Sequence, residues 1–183
     1  MKKRKNLPKP STQYARLSSK DLLCLYIHPE AKTAYKLYVE HFPLSRIVKS
    51  EEQAVHLNVS YDGTNFYFYN NFSAQLGMAN STDVYVRKIQ PTISSMRLGS
   101  WKYVLGEFLD LNPVNVNIYN QLKSQMPKDI QRKLLGNLMT IEDICRRKDI
   151  SRHHFDYQHA KQKAPVFRMP SFGELIKRNV DEY

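Results

Sequence analysis

Thiols are scarce in this chain. Cys24 and Cys145 are its two cysteines, each isolated in an apolar or mixed helix-like context, so neither a disulfide framework nor a thiolate zinc site is indicated and a reducing interior is the expected setting. Apolar residues nowhere run on for the roughly 18 positions needed to span a bilayer. The opening MKKRKNLPKP is basic without the apolar stretch of a secretory signal. No membrane partner is therefore expected, and the expected location is the cytoplasm, associated with the nucleoid, or the nucleus for a eukaryotic or viral source.

Glycine is sparse too. Gly63, Gly77, Gly99, Gly106, Gly136 and Gly173 are scattered and form neither a phosphate-cradling loop nor a nucleophile elbow. Zinc-protease spacing and close carboxylate pairs are also missing. The expectation is a protein that is not an enzyme and that carries no cofactor. His153, His154 and His159 invite a metal reading, but adjacent imidazoles leave a helix in different directions and no third ligand stands nearby, so no metal is expected either.

Positive charge is abundant, with a formal net charge of +11. Residues 1–50 hold 11 Lys/Arg against 3 Asp/Glu, residues 51–122 hold 4 against 6, and residues 123–183 hold 13 against 8. Both ends are basic and the middle is not. Clustered Lys and Arg attract polyanions and release their counterions on binding, so a nucleic-acid partner is the first functional expectation. With 42% hydrophobic residues the chain has ample apolar surface for a core.

Residues 1–17, with the basic run Lys2 to Lys5 and then Pro8 and Pro10, read as a flexible basic arm. Ser18 or Ser19 is expected to cap a helix through Ile27, and Pro29 to open another that stops near Pro43. In VHLNVSYDGTNFYFY, the Asp62-Gly63 pair between alternating runs predicts a β-hairpin with a two-residue turn, Tyr61 opposite Thr64, Val59 opposite Phe66 and Leu57 opposite Phe68. Val84 to Ile89 should add a third strand. Tyr67 and Tyr69 could stack on unpaired bases, but GTNFYFYNNF lacks the RNA-recognition pattern, and packing under a helix is the preferred account.

Ser100 is expected to cap a helix carrying Trp101, Val104, Leu105, Phe108 and Leu109 inward. Residues 114–125 stay ambiguous. A helix should follow Pro127, and a last one should run from Ser171 to about Asn179 behind a Ser171…Glu174 capping box.

The stretch LMTIEDICRRKDISRHHFDYQHAKQKAP predicts two short helices with almost no linker, capped by Thr140 and Ser151. Cys145 stands where two crossing helices need a small residue, Ile150 in the turn, and Phe155 where the second helix needs an anchor. TIEDICRRKDISRHHFDY resembles the helix-turn-helix of bacterial and phage DNA-binding proteins, over about residues 139–160 only. Lys148, Asp149 and Gln158 depart from that pattern, which usually has an apolar residue, a glycine and an apolar residue there. An ordinary helical hairpin and a helical interaction surface are the competing readings.

The resemblance implies that the second helix lies in the major groove. It makes Ser151, Arg152, His153, Asp156 and Tyr157 groove-facing, with Arg152 pairing a guanine edge, and it gives Arg146, Arg147 and Lys161, with Ser151 and Tyr157, to phosphates. The combined expectation is an α+β chain: a basic arm (1–17), an α+β core holding a small antiparallel sheet packed by helices (18–125), and a helical C-terminal module that is helix-turn-helix-like (126–183). Its expected function is sequence-specific transcriptional regulation on double-stranded DNA as a homodimer. The alternative is a non-catalytic nucleic-acid-binding subunit of a larger nucleoprotein or recombination assembly.

Overall fold

The computed structural model describes residues 13–42, 55–73 and 83–163. Among them the chain is α+β, and its elements are β1 (Ala15–Arg16), α1 (Ser19–Leu22), β2 (Leu25–Ile27), a 3-10 turn (Pro29–Ala31) running into α2 (Lys32–His41), β3 (Val55–Tyr61), β4 (Phe66–Phe68), β5 (Val84–Lys88), α3 (Ile93–Leu109), α4 (Val116–Gln125), α5 (Lys128–Leu135), α6 (Ile141–Lys148) and α7 (Arg152–Lys163). The strands lie in the order β1-β5-β3-β4-β2.

The sheet is mixed, which corrects the expected antiparallel one. β3 pairs antiparallel with β4, and β1 with β5, but β3–β5 and β2–β4 are parallel. A tight turn forces neighbours to run in opposite directions, whereas the longer connections to β2 and β5 leave direction free. Inward residues then decide the pairing: Val55, Leu57 and Val59 of β3 align with Phe66, Phe68, Val84 and Val86 on one buried face.

The hairpin forms two residues out of the expected register. Val59 lies opposite Phe68 and Tyr61 opposite Phe66, so the connection is the four residues Asp62 to Asn65. The Asp62 carboxylate explains this, because its Oδ1 accepts the N–H groups of Thr64 and Asn65 at 2.8 Å each. Those backbone hydrogen bonds also hold its carboxyl below the usual carboxylate range. Gly63, at φ 104°, takes the backbone conformation that side chains resist. A slip of two keeps every side chain on its face, so the core assignment survives the change of partner.

Three other expectations change. The helix behind Ser18 ends at Leu22, and Leu25–Ile27 becomes an edge strand whose ladder is closed by Phe66 N–H on the Cys24 carbonyl and His28 N–H on the Phe68 carbonyl. Here sheet pairing outweighs helix propensity. α3 starts earlier, capped by Thr92, and Ser100 sits inside it with its hydroxyl donating to the Arg97 carbonyl. At the end of the expected arm, Ala15 and Arg16 pair with β5, and Leu17 is buried. Lys2 to Lys5 and the Ser171…Glu174 box lie outside the described residues.

One cluster of buried side chains runs from Leu17 to Phe155. Tyr35 of α2 meets Phe68 and Phe72 edge-on, and Trp101, Val104 and Phe108 bring α3 into the same core. Residues 114–125, left open by the sequence, form α4, with Asn115 Oδ1 accepting the Ile118 N–H.

Candidate nucleic-acid interface

The α6–turn–α7 segment is built from local hydrogen bonds and one apolar seam. Thr140 Oγ1 accepts the Asp143 N–H at 3.1 Å and donates to its Oδ2, which starts α6. Asp149 ends it in the left-handed conformation at φ 53°, which a short polar side chain tolerates better than most, and this accounts for aspartate where glycine is common. Ile150 N–H then returns to the Cys145 carbonyl at 3.0 Å, and Ser151 Oγ accepts the His154 N–H at 3.1 Å at the start of α7.

Ile144, Cys145 and Phe155 are buried, and the Phe155 ring stands edge-on to Tyr119 of α4 at 5.4 Å. Burial also pushes the Cys145 thiol above its ordinary pKa, as suits a packing residue and not a nucleophile.

Three polar side chains mount this pair on the body. Gln131 is buried, donates to the Lys123 and Met126 carbonyls, and accepts the Met139 N–H at 2.9 Å just before α6. Lys148 donates to the carbonyls of Leu109 and Leu111 at the end of α3, the second at 2.7 Å, so a lysine stands where an apolar residue was expected because it caps a neighbouring helix. Gln162 near the end of α7 accepts the Val116 N–H at 3.0 Å and donates to the Val114 carbonyl at 2.8 Å. α7 is thus fixed at both ends.

The residues singled out by sequence separate into two groups. Arg152, His153, Asp156, Tyr157 and Lys161 are exposed on α7, Tyr157 at 58%. Ser151 is also exposed and is engaged in its cap. Arg146 and Arg147 are exposed at the end of α6, but Arg146 bonds Asp143 Oδ1 at 2.5 Å and Arg147 donates to the Leu135 carbonyl at 3.3 Å.

Arg152 is not a free fork. Its Nε bonds both Asp156 oxygens at 3.0 and 3.2 Å, and its Nη1 bonds Glu142 Oε1. Hydrogen bonding to Asp156, followed by the charges of Asp156 and Glu142, raises the guanidinium pKa above its already high value. Glu142 was missed in the sequence, where it stands ten positions away across the turn. Asp156, at i+4 from Arg152, carried a legible spacing signal.

Tyr67 and Tyr69 part company. Tyr69 is buried beside Gly99 of α3, where an added Cβ would come within 2.9 Å of its ring. Tyr67 stays on the outer sheet face beside Tyr26 and His28. Among the described residues no three His, Cys, Asp or Glu side chains gather as metal ligands, and no helix is long and apolar enough to cross a membrane. No protein-family model, curated protein or solved structure matches the chain.

Proposed function

We propose that the chain binds double-stranded DNA through α7, with the first turns of that helix entering the major groove, and that it acts as a sequence-specific regulator. The observation that carries this reading is a helix anchored from beneath by Phe155 and Gln162 that leaves Arg152, His153, Asp156 and Tyr157 exposed together, on a chain of net charge +11. A rigidly mounted helix with a polar outer face is what groove reading needs.

Binding exchanges partners at Arg152. Asp156 holds the Nε side, which leaves the Nη edge to leave Glu142 and pair with guanine O6 and N7. Exposed ion pairs are weak, so the exchange is an easy one. Arg146, Arg147 and Lys161 flank the helix as phosphate contacts.

The test is duplex binding by wild type and Arg152→Ala across several sequences and salt concentrations. The reading expects a loss of about five- to a hundredfold on preferred duplexes and little on others. A uniform loss would reduce Arg152 to a phosphate contact, and unchanged affinity everywhere would remove α7 from the groove. The double engagement of Arg152 by carboxylates favours a second reading, in which the helix pair contacts protein within a nucleoprotein assembly. Selection from a random duplex library separates the two, because an enriched palindrome requires a base-reading dimer.

A further inference from the structure

The outer face of the sheet has a composition unlike that of its inner face. Along β3, β4 and β5 the inward positions are Val, Leu and Phe, with Tyr61 and Lys88 at the end of that face, whereas the described strand residues pointing outward include no aliphatic side chain and no carboxylate. Rings and cations take their place. His56 lies against Tyr85 with centroids 5.2 Å apart and planes 14° from parallel, and Tyr14 meets His56 edge-on at 5.0 Å. The Arg87 guanidinium stands 5.4 Å over the Tyr14 ring, and its Nε donates to Asn58 Oδ1 at 2.9 Å, an oxygen that also accepts the Tyr14 hydroxyl. Two strands away, Tyr26 lies opposite Tyr67 in the β2–β4 register.

These side chains are accessible. Tyr14 is 41% and Tyr26 48% exposed, His56 is exposed, and Tyr67, Tyr85 and Arg87 are half-buried. With strands about 4.8 Å apart, the face measures about 19 Å from β1 to β2, enough for a few nucleotides of extended strand.

We propose that this face is a stacking platform for an unpaired DNA strand, with Tyr14, His56, Tyr85, Tyr67 and Tyr26 offering rings to successive bases and Arg87 neutralising a phosphate. An aromatic surface with basic residues suits a flexible polyanion that carries π faces. Tyr and Arg are also enriched at protein interfaces, so a second copy of the chain is the occupant from which the strand must be distinguished. A duplex hides its base faces inside the stack, so it gains only the charge contact. The choice of DNA over RNA follows from the polar chemistry: Asn58 Oδ1 is already engaged twice, so a ribose hydroxyl brought onto this face would lose water without gaining that acceptor, a cost a deoxyribose strand does not carry. This surface shares no residue with α7, and the inference does not depend on the groove reading.

The experiment is fluorescence anisotropy on the full chain with a labelled oligothymidylate, the matching duplex, and unlabelled oligouridylate as competitor. The single strand is expected to bind in a salt-dependent way and to outcompete oligouridylate. Tyr26→Ala and Tyr85→Leu should each weaken it by about tenfold with duplex affinity unchanged, and Arg87→Gln should lower the salt slope by about 0.7. Arg152→Ala should leave strand affinity unchanged, which separates the two surfaces. Because Tyr26 is half in solvent, its alanine variant should keep the wild-type Tm and remains informative if Tyr85→Leu folds poorly. Wild-type strand affinity in Tyr26→Ala, or no strand binding at all, overturns the proposal. Tighter binding of oligouridylate overturns the DNA assignment. Conversion of a dimer to a monomer by Tyr26→Ala with no effect on the strand gives the face to a second copy, and overturns it as well.

Discussion

The two exposed polar surfaces of the molecule treat their arginines differently. On α7, Arg152 is held by Glu142 and Asp156, and on α6 Arg146 is held by Asp143, so these two cations have carboxylate partners within the chain, as Arg16 at the β1 edge of the sheet has in Asp83. On the outer sheet face, Arg87 is positioned by a neutral amide and a tyrosine ring, and no carboxylate among the described residues bonds it. The difference is one of cost. A phosphate or base that reaches Arg152 must displace a carboxylate, whereas Arg87 is preorganised without local neutralisation. Selective binding is therefore expected at the helix, and general polyanion attraction at the sheet.

The contrast breaks most severely at Phe155. Its ring is 1% exposed and joins α7 to Tyr119, so Phe155→Ala removes the seam under one surface while leaving the sheet untouched. We expect a loss of about 3–5 kcal/mol in urea unfolding. Duplex affinity should fall with it while strand binding by the folded fraction stays the same. A loss below about 1 kcal/mol would show that the three polar mounts carry the helix pair without the ring. Lys148→Met comes next. It leaves the Leu109 and Leu111 carbonyls short of a donor at the end of α3, for about 1–2 kcal/mol by the same measurement, with no change at the sheet.

That ranking mirrors what the sequence made legible. The helix pair was readable because its determinants are local: the Thr140 and Ser151 hydroxyls cap within three residues, and Ile141, Ile144 and Cys145 follow helical spacing. The inward residues of the hairpin were equally plain, since period-two alternation survives a register slip of two. What stayed hidden was set by distant partners. Leu25–Ile27 became a strand only because β4 offered a parallel edge, and β5 ran parallel to β3 because its long connection allowed it. The exposure of the candidate residues was legible in the sequence, but their ion pairing was not. Arg152 stood out as a fork, yet its clamp by Glu142 depends on how the turn folds back, and nothing in residues 140–157 encodes that angle directly.

Glu142→Gln sharpens the comparison without loosening the fold. It removes one of the two charges holding Arg152 and makes the helix surface more like the sheet. Stability should not change measurably, because both groups are exposed. Duplex affinity should rise about two- to fivefold at low salt, and the gain should shrink as salt screens it. An unchanged or weaker affinity would mean that Glu142 orients the guanidinium productively instead of withholding it.

The smallest effect belongs to the edge of the sheet. His28 Nδ1 accepts the Glu30 N–H at 3.2 Å, and its ring meets Tyr67 edge-on at 5.8 Å, so the fold uses the neutral imidazole. Burial lowers its pKa below 6.5, partly offset by the nearby Glu30 carboxylate. The unfolded chain then holds a proton at pH values where the folded one does not. Its stabilising contribution is complete above about pH 6.5 and is lost as pH falls through the lowered folded value. His28→Asn keeps a side-chain acceptor for the Glu30 N–H but cannot titrate. Urea unfolding of both proteins at about pH 7.5 and about pH 5.5 should show wild type losing more stability on acidification, since the other titrating groups contribute equally to each. Equal losses would show that His28 opens α2 through its shape alone, and that acid leaves this corner of the sheet unchanged.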